Sequence, residues 1–477
     1  MPTIWIREFT GGLDVRRLHE TSPGGTMMRG IDCHITRGGE IEQRADFVPV
    51  YSLPVGLTKS LAFTPAGLVV FGHQAAPTLP AGVTYQRLQH PNGEALVRVP
   101  FFALYKSRIQ AIGEFADGSR FLFYDGARVT DASAPPTVDN SLPNVLLTHT
   151  EKMYVGSGET LFFSAVGNSA DYGAGAGVGD GFIVMSTHAE GSEDITGLGR
   201  YDELMAVFSR RTIQTWFVDP DPSLNRQAQV LNSTGCVAPR SVTQFGDGDL
   251  FYLDLSGIRS LRARDSSNSA ATTDIGSPID PIVLDLREQL GEAALANAVG
   301  VIEPRDGRFW MAVNDRIYVF SFFSASKVSA WSEYRPGFVV EDMLAWDDKV
   351  WIRSGDTIYA YGGTGVAQQY SDDVQAEVWL PYLDANEPFR EKHVHGLDLA
   401  VRGAWSVALA MDPNNLEAED EVARVNLTTY GHTRIDAVGG GTHLSLRFRS
   451  LAPASATKPA ILGSAVIHFS GDAEEDS

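Results

Sequence analysis

Residues 309–320, FWMAVNDRIYVF, hold two runs of aromatic and aliphatic residues on either side of the polar turn Asn314-Asp315. Two such runs around a tight turn predict a β-hairpin. The arrangement recurs from Leu68, where a weaker unit begins, to Tyr361. The other units are Phe121–Tyr124 with Ala127–Val129, Met153–Val155 with Thr160–Phe163, Leu204–Phe208 with Thr212–Phe217, Leu250–Leu253 with Ile258–Leu261, and Val350–Ile352 with Ile358–Tyr361.

The spacing of these hairpins indicates a repeated architecture. The six intervals between the unit that begins at Leu68 and the unit that begins at Val350 average 47 residues. Four short strands per blade of a β-propeller need repeats of roughly 40 to 50 residues. The sequence therefore predicts an all-β protein built around a β-propeller of six or seven blades.

The 477 residues exceed what the hairpin region needs, so we divide the chain into four parts. Residues 1–50 are rich in glycine and arginine and predict an extended entry segment that lies against other elements. Residues 51–370 form the predicted propeller. Residues 371–470 carry longer alternating strands, such as 397–401 and 444–448, and predict a β-sandwich-like domain. Residues 471–477 are an acidic tail.

One segment of the predicted propeller has the period of a helix. Pro281 to Ala298 is the one convincing helix of the chain, with Leu284, Leu286, Leu290 and Leu295 as its inward-facing residues. A second irregular segment, residues 173–181, alternates glycine with other residues. Its spacing matches neither the dinucleotide-binding fingerprint nor a Walker loop, so a flexible surface loop is expected there.

Composition excludes several classes of function. The net charge of −21 argues against a protein that grips nucleic-acid phosphates, since that requires clustered Lys and Arg. Cys33 and Cys236 are too few and too far apart for a disulfide framework or a zinc site, so two buried free thiols are expected. Neither a signal peptide nor an apolar run of membrane-spanning length is present, which predicts a cytosolic protein without membrane insertion.

No motif for a reaction or a cofactor stands out. No serine has the flanking glycines of a nucleophile elbow. The pairs His393 with His395 and Asp247 with Asp249 each lack a third metal ligand nearby. The sialidase hairpin box has its nearest match at Ser354–Tyr359, which lacks the required glycine and tryptophan. We therefore predict no catalytic residue, no cofactor and no metal.

Three stretches together resemble the tail hub or nozzle proteins of short-tailed bacteriophages, also called packaged-DNA stabilisation proteins. The resemblance covers most of the chain in its order of parts, since members of that family place a β-propeller before a C-terminal β-sandwich-like region. The stretches are residues 30–34 with 39–44, residues 204–208 with 213–217, and residues 234–239 with 248–253 and 256–258.

The resemblance implies a structural virion protein that is assembled in the host cytoplasm. Several copies, six in the expected ring, would surround the DNA exit channel below the portal and adaptor, beside tail-fibre or tail-tip proteins. The ring would retain packaged double-stranded DNA and pass it at infection without sequence-specific binding, and an acidic lining would let a duplex slide. The candidate lumen or interface residues are Asp247, Asp249, Glu417, Glu419, Asp420, Glu421, Arg210 and Arg211.

Two other interpretations remain open at the level of sequence. A glycan-binding or glycan-cleaving propeller would use two or three carboxylates near the central axis, and it would show them together with exposed aromatic residues at the propeller mouth. A bacterial scaffold propeller would bind partner proteins on its rim. Clusters such as Arg210-Arg211 fit either docking points for an acidic neighbour or solvated strand positions.

Overall fold

The computed structural model describes residues 2–129, 142–172, 179–187, 193–246, 248–263 and 274–471. The described chain is dominated by short strands, which form a propeller and a C-terminal β-domain. Seven strands precede blade 1 in the chain: β1 (Thr3–Ile6), β2 (Gly12–Leu13), β3 (Thr26–Met27), β4 (Arg29–Ile31), β5 (Cys33–Ile35), β6 (Ile41–Gln43) and β7 (Phe47–Ser52), the last of which belongs to blade 7.

The propeller consists of seven blades of three or four strands. Blades 1 to 4 are β8 (Lys59–Thr64), β9 (Gly67–Gly72) and β10 (Val83–Arg87); β11 (Leu96–Tyr105), β12 (Arg108–Phe115), β13 (Arg120–Tyr124) and β14 (Ala127–Arg128); β15 (Pro143–His149), β16 (Lys152–Ser157), β17 (Thr160–Phe163) and β18 (Gly181–Val184); β19 (Ile195–Tyr201), β20 (Leu204–Ser209), β21 (Thr212–Phe217) and β22 (Arg226–Asn232). Blades 5 to 7 are β23 (Thr243–Gln244), β24 (Leu250–Asp254) and β25 (Gly257–Ser260); β26 (Val299–Ile302), β27 (Phe309–Val313), β28 (Arg316–Phe323) and β29 (Val328–Tyr334); β30 (Asp342–Trp346), β31 (Lys349–Ser354) and β32 (Thr357–Tyr361), with β7 as the fourth strand.

The blades close into a ring. The first strands of successive blades contact one another in order, and β30 of blade 7 contacts β8 of blade 1. Seven apolar clusters fill the spaces between neighbouring blades, one for each pair. The predicted propeller is confirmed, and this arrangement has seven blades. Six of them are separate sheets, whereas blade 6 continues into the C-terminal sheet.

The predicted hairpins occupy equivalent places in most blades. Five of the six fully written hairpins are the second and third strands of a blade, including β27 with β28. The sixth, around residues 121–129, is formed by the third and fourth strands of blade 2. The weaker unit that begins at Leu68 supplies β9, but the next strand, β10, runs parallel to β9. Parallel neighbours cannot be joined by a tight hairpin turn, so this unit is not a hairpin.

The single predicted helix over Pro281 to Ala298 is wrong in its extent and in part of its buried face. The structure has helix α1 (Asp280–Leu290) and a short helix α2 (Glu292–Leu295), separated by Gly291 at φ 79°. Leu290 is exposed, and Val283 is buried beside Leu286 instead. Five 3-10 helices occur in the described residues: Met185–Thr187, Pro222–Leu224, Pro239–Ser241, Ser277–Ile279 and Ser324–Ser326.

The C-terminal domain is organised around one long strand. Its strands are β33 (Glu377–Trp379), β34 (Lys392–Ala410), β35 (Asp420–Ile435), β36 (Gly439–Gly441), β37 (Ser445–Ala452) and β38 (Ile461–Gly471). The first half of β34 pairs with β38 and the second half with β37. The change of partner falls at Gly403, whose φ of 87° favours glycine. Side chains from both halves share one apolar core.

The predicted entry segment, residues 1–50, joins the two parts of the molecule. Strand β1 pairs with β38, and β5 and β6 extend the same edge. Strand β4 lies between β29 of blade 6 and β33 of the C-terminal domain. The result is a 16-stranded sheet that runs without interruption from blade 6 through the C-terminal domain.

Candidate functional site

A large cavity lies at one mouth of the propeller channel. Most of its lining residues come from the starts of the first strands or from the segments just before them, in all seven blades. The hairpin turn between β31 and β32, with Gly355 and Asp356, completes one wall. The cavity has a volume of about 970 Å³, which is the size of a small-molecule pocket.

The charge at this mouth is opposite to the net charge of the chain. Five basic residues and three carboxylates line the cavity, although the whole chain carries −21. The basic residues are Lys59, Arg98, Arg120, Arg240 and Arg353, and the acidic ones are Glu341, Asp342 and Asp356. A concave surface of this sign attracts anions, because low-dielectric walls focus its field.

Two of the arginines are held by one carboxylate in blade 2. Arg98 lies 3.3 Å and Arg120 lies 2.8 Å from the same oxygen of Glu114. Arg98 also donates to the side-chain oxygen of Asn297 at 2.8 Å, which connects blade 2 to the segment after α2. One carboxylate between two guanidinium groups leaves this wall with an excess of positive charge.

A third arginine connects blades 5 and 7. Arg240 donates to Oδ1 of Asp342 and, at 2.9 Å, to the carbonyl oxygen of Glu341. The other oxygen of Asp342 accepts the backbone N–H of Leu61 at 3.0 Å. Asp342 is buried, and both of its carboxylate oxygens are occupied by these contacts within the protein.

Arg353 is the most buried of the cations and has no ion-pair partner among the described residues. Its side chain is only 3% exposed. Nε donates to the carbonyl of Gly355 at 2.8 Å, and Nη2 donates to the carbonyl of Thr58 at 2.6 Å. Its Nη1 and the hydroxyl of Thr58 are buried without a described hydrogen-bond partner. Buried polar groups in this condition are uncommon, and binding of an ion or a water is one way in which they are satisfied.

The mouth offers no surface for stacking a sugar ring. None of the residues that line this cavity in the described part of the chain is aromatic. Two of its three carboxylates also have partners, because Asp342 binds Arg240 and Asp356 accepts the backbone N–H of Gly56 at 3.1 Å. The combination of free carboxylates and exposed aromatic residues expected of a glycan-cleaving propeller is therefore not present at this cavity.

The residues selected from the sequence lie elsewhere. Asp249 is a structural residue of blade 5: it accepts from the Ser260 hydroxyl at 2.6 Å and from the backbone N–H of Arg262 at 3.0 Å. Burial raises the pKa of its carboxyl group, although these hydrogen bonds oppose the change. Asp247 lies outside the described residues, as do residues 173–178 of the glycine-rich loop.

The acidic run before and within β35 is exposed and partly neutralised. Glu419 pairs with the buried Arg447 at 3.1 Å. Glu421 accepts from Arg424 at 2.7 Å and from the Ser406 hydroxyl at 2.7 Å. The hydrogen bond from Arg424 lowers the pKa of Glu421. Glu417 and Asp420 are also exposed in this run.

The predicted arginine pair, Arg210 and Arg211, forms the turn between β20 and β21 of blade 4. Arg210 forms an ion pair of 2.6 Å with Glu292 of α2, and both side chains are about half exposed. The backbone N–H of Arg211 donates to Glu193 at 2.9 Å. None of the candidate lumen or interface residues that the structure describes lines the channel cavity. The cavity was missed because its cations come from blades far apart in sequence, and no local spacing relates Arg98 to Arg353.

The two cysteines are separate and buried. Neither thiol is in a disulfide, and each side chain is fully enclosed. Burial raises the pKa of Cys236 to about 11 and also raises that of Cys33. Among the described residues, no three His, Cys, Asp or Glu side chains come together as metal ligands would, and no helix has the length and apolarity needed to span a membrane.

The sequence matches no protein-family model and no curated protein. Solved structures similar to it include YCF48 bound to D1 peptide, with 10% identity, a TM-score of 0.38, and coverage of 68% of this chain and 99% of that one. The Cps50 (Swd1) β-propeller domain of Myceliophteria thermophila has 8% identity, a TM-score of 0.37 and coverage of 66% and 99%. An exo-β-1,3-galactanase from Phanerochaete chrysosporium with galactose has 8% identity, a TM-score of 0.27 and coverage of 80% and 98%. Likenesses at this level concern the β-propeller fold alone.

Proposed function

We propose that this chain is a non-enzymatic subunit of a ring in the tail of a short-tailed bacteriophage. Six copies would surround the DNA exit channel below the portal and adaptor, and tail-fibre or tail-tip proteins would contact the same ring. The subunit would hold packaged DNA and pass it at infection without reading its sequence. The resemblance in order of parts, a propeller followed by a C-terminal β-domain, is the starting point.

The observation that supports this proposal best is the continuous 16-stranded sheet. A subunit in the wall of a pressurised channel must not bend between its domains. Here β4 is hydrogen-bonded to β29 of the propeller on one side and to β33 of the C-terminal domain on the other. Because a shared sheet replaces the flexible linker that separates most domains, the subunit can transmit load as one body.

Strand β35 offers a contact for a second copy of the chain. It has 16 residues and, among the strands that the structure describes, pairs along one edge only, with β34. A long unpaired edge presents backbone N–H and C=O groups that can bind another strand. Asn426 and Thr428 are exposed on this strand and alternate with the half-buried Val425 and Leu427. We propose that neighbouring subunits meet along this edge.

Electron microscopy of the purified protein, alone and mixed with its adaptor, tests the ring directly. Six-fold rings with an axial hole wide enough for a DNA duplex are expected. Isolated discs at every concentration, both with and without the adaptor, would contradict the proposal. In that case screening a glycan panel becomes the next experiment.

A pair of lysine substitutions tests the proposed contact. In Asn426→Lys/Thr428→Lys the added charges on the strand edge should prevent pairing between copies, while the monomer keeps its circular dichroism spectrum. The matched control is Asn92→Lys/Gln74→Lys, which adds the same charge in exposed loops. Rings should form in the control but not in the edge variant. Equal ring formation by both would rule out β35 as the contact.

A further inference from the structure

We propose that the channel mouth contains a binding site for an oxyanion, a phosphate or carboxylate group of a small molecule, formed by Thr58, Lys59 and Arg353. The site is separate from the proposed ring contact, so either proposal can fail without the other. It rests on an unusual buried cation, on the charge of the surrounding cavity and on the size of that cavity.

Arg353 is a buried cation with one guanidinium nitrogen that has no described partner. A guanidinium removed from water is costly unless ionic and hydrogen-bonding partners replace the solvent. Arg353 is 97% buried, and its two bonds to the carbonyls of Thr58 and Gly355 account for Nε and Nη2 only. The bond to Thr58 fastens β31 of blade 7 to the segment before β8, and the bond to Gly355 fixes the turn that follows β31. They leave Nη1 unexplained.

The second observation is the hydroxyl of Thr58, which is also buried without a described partner. Because Arg353 donates to the carbonyl of Thr58 at 2.6 Å, the two unsatisfied groups belong to neighbouring residues in the same wall. Both can donate hydrogen bonds, and an oxyanion accepts several at once. A neutral ligand would leave the charge of Arg353 uncompensated.

The surrounding charges favour an anion as well. Asp342 faces Arg353 across β30 and β31, but its oxygens are occupied by Arg240 and the N–H of Leu61. Lys59 lines the cavity next to Thr58 and has no ion pair within the described chain. The mouth as a whole has five cations against three carboxylates in its lining and Glu114 beside Arg98 and Arg120, so it keeps a net positive charge.

The dimensions of the cavity define the class of ligand. A volume of about 970 Å³ is far larger than one phosphate ion, and it falls in the range of cavities that hold a whole small molecule. Among the described residues, the lining has no aromatic side chain on which a base or sugar could stack. The ligand expected is therefore a small, flexible phosphate- or carboxylate-bearing molecule, with its anionic group against Arg353.

Isothermal titration calorimetry with the full chain tests the site, with inorganic phosphate in one arm and succinate in the other at constant ionic strength. Saturable binding of at least one anion is expected, and the stronger arm identifies whether phosphate or carboxylate is preferred. Thr58→Val and Lys59→Gln should each weaken binding about tenfold, the usual loss for one hydrogen bond or contact to a charged group.

The choice of variants keeps the test informative if Arg353 itself cannot be replaced without unfolding. Thr58→Val is nearly isosteric and removes a hydroxyl that has no described partner, so the fold should persist. Arg108→Gln removes one positive charge from an exposed pair with Asp125 outside the cavity and should bind as the wild type does. Absence of saturable binding of both anions, or equal affinity in wild type, Thr58→Val and Lys59→Gln, would overturn the proposal.

Discussion

Arg259 forms a bidentate ion pair with Asp280: Nη1 donates to Oδ1 at 2.7 Å and Nη2 donates to Oδ2 at 3.0 Å. Arg259 lies in β25 of blade 5, and Asp280 is the first residue of α1. The pair holds the start of the helix against the blade, where a carboxylate also suits the positive end of the helix dipole. Such two-pronged contacts need the planar fork of arginine.

Replacing Arg259 by lysine should therefore destabilise the protein although the charge is kept. We expect Arg259→Lys to lower the free energy of unfolding by about 2 kcal/mol, because a buried bidentate pair is reduced to a single contact. Urea unfolding followed by tryptophan fluorescence measures the change. Arg262→Lys, at an exposed position nearby, is the control and should leave the unfolding midpoint unchanged. Equal midpoints in both variants would contradict the assigned role.

Gly403 provides a test of how β34 serves two partners. A Cβ atom there would lie 2.8 Å from Cα of Ala460 and 3.0 Å from the carbonyl oxygen of Ala452. Gly118 has a similar φ, 83° against 87°, but a Cβ atom would meet nothing within 4 Å. Gly118→Ala should cost about 1 kcal/mol for the backbone conformation alone, and Gly403→Ala at least about 2 kcal/mol more.

The comparison is made by thermal or urea unfolding of the two variants under identical conditions. Because the backbone term is shared, the difference between them isolates the steric clash at the change of partner in β34. Equal destabilisation would show that β38 and β37 can separate at Gly403 without loss, and the account of this strand would then be wrong.

His34 should make stability depend on pH. Its Nδ1 lies 2.8 Å from the Tyr334 hydroxyl and its Nε2 lies 3.5 Å from Glu42. Burial, followed by the positive charge of Arg308, lowers the pKa of this imidazole, while Glu42 opposes the change. Below the unfolded value of about 6.5, the unfolded chain binds a proton that the folded chain does not. Stability should therefore fall as the pH falls through that value.

Urea unfolding at a series of pH values between about 7 and about 5 measures this effect around the ordinary histidine pKa. The slope of stability against pH should be smaller in His34→Gln than in the wild type. His395→Gln, which replaces an exposed histidine in β34, should keep the wild-type slope. An unchanged slope in His34→Gln would mean that other groups cause the acid sensitivity.

Neither Cys33 nor Cys236 should react with thiol reagents in the folded protein. Cys33 and Cys236 have no exposed surface, and burial raises the pKa of each, so the reactive thiolate is scarce. Ellman's reagent should react with neither thiol under native conditions and with both in guanidinium chloride. Rapid reaction of either thiol in the native protein would show that its apolar surroundings open.

The propeller could be predicted from the sequence because its hairpins are local. Strands β27 and β28 need only the turn at Asn314, so their pattern is visible within twelve residues. The helix was predicted too long because the left-handed conformation at Gly291 divides it, and a periodic leucine pattern does not reveal that break. Strand β10 was hidden because its pairing with β9 is parallel.

The channel mouth could not be predicted for a related physical reason. Thr58, Arg240 and Arg353 line one cavity only after the seven blades have closed into a ring. No local sequence pattern marks any of the three. What distinguishes Arg353 is its burial without an ion-pair partner in the described part of the chain, and this depends on the surrounding fold and not on its neighbours in sequence. The carboxylates chosen from local acidic runs are instead exposed or fixed by nearby hydrogen bonds.

The pairing of β7 with β32 gives the molecule an order of construction. Residues 47–52 leave the ribosome early, yet their partner strand in blade 7, residues 357–361, is synthesised about 300 residues later. The first six blades can stack during translation, since each packs on the one before it. The N-terminal strand must wait unpaired through that time, so the nascent chain carries an open β-edge until blade 7 emerges and the circle shuts.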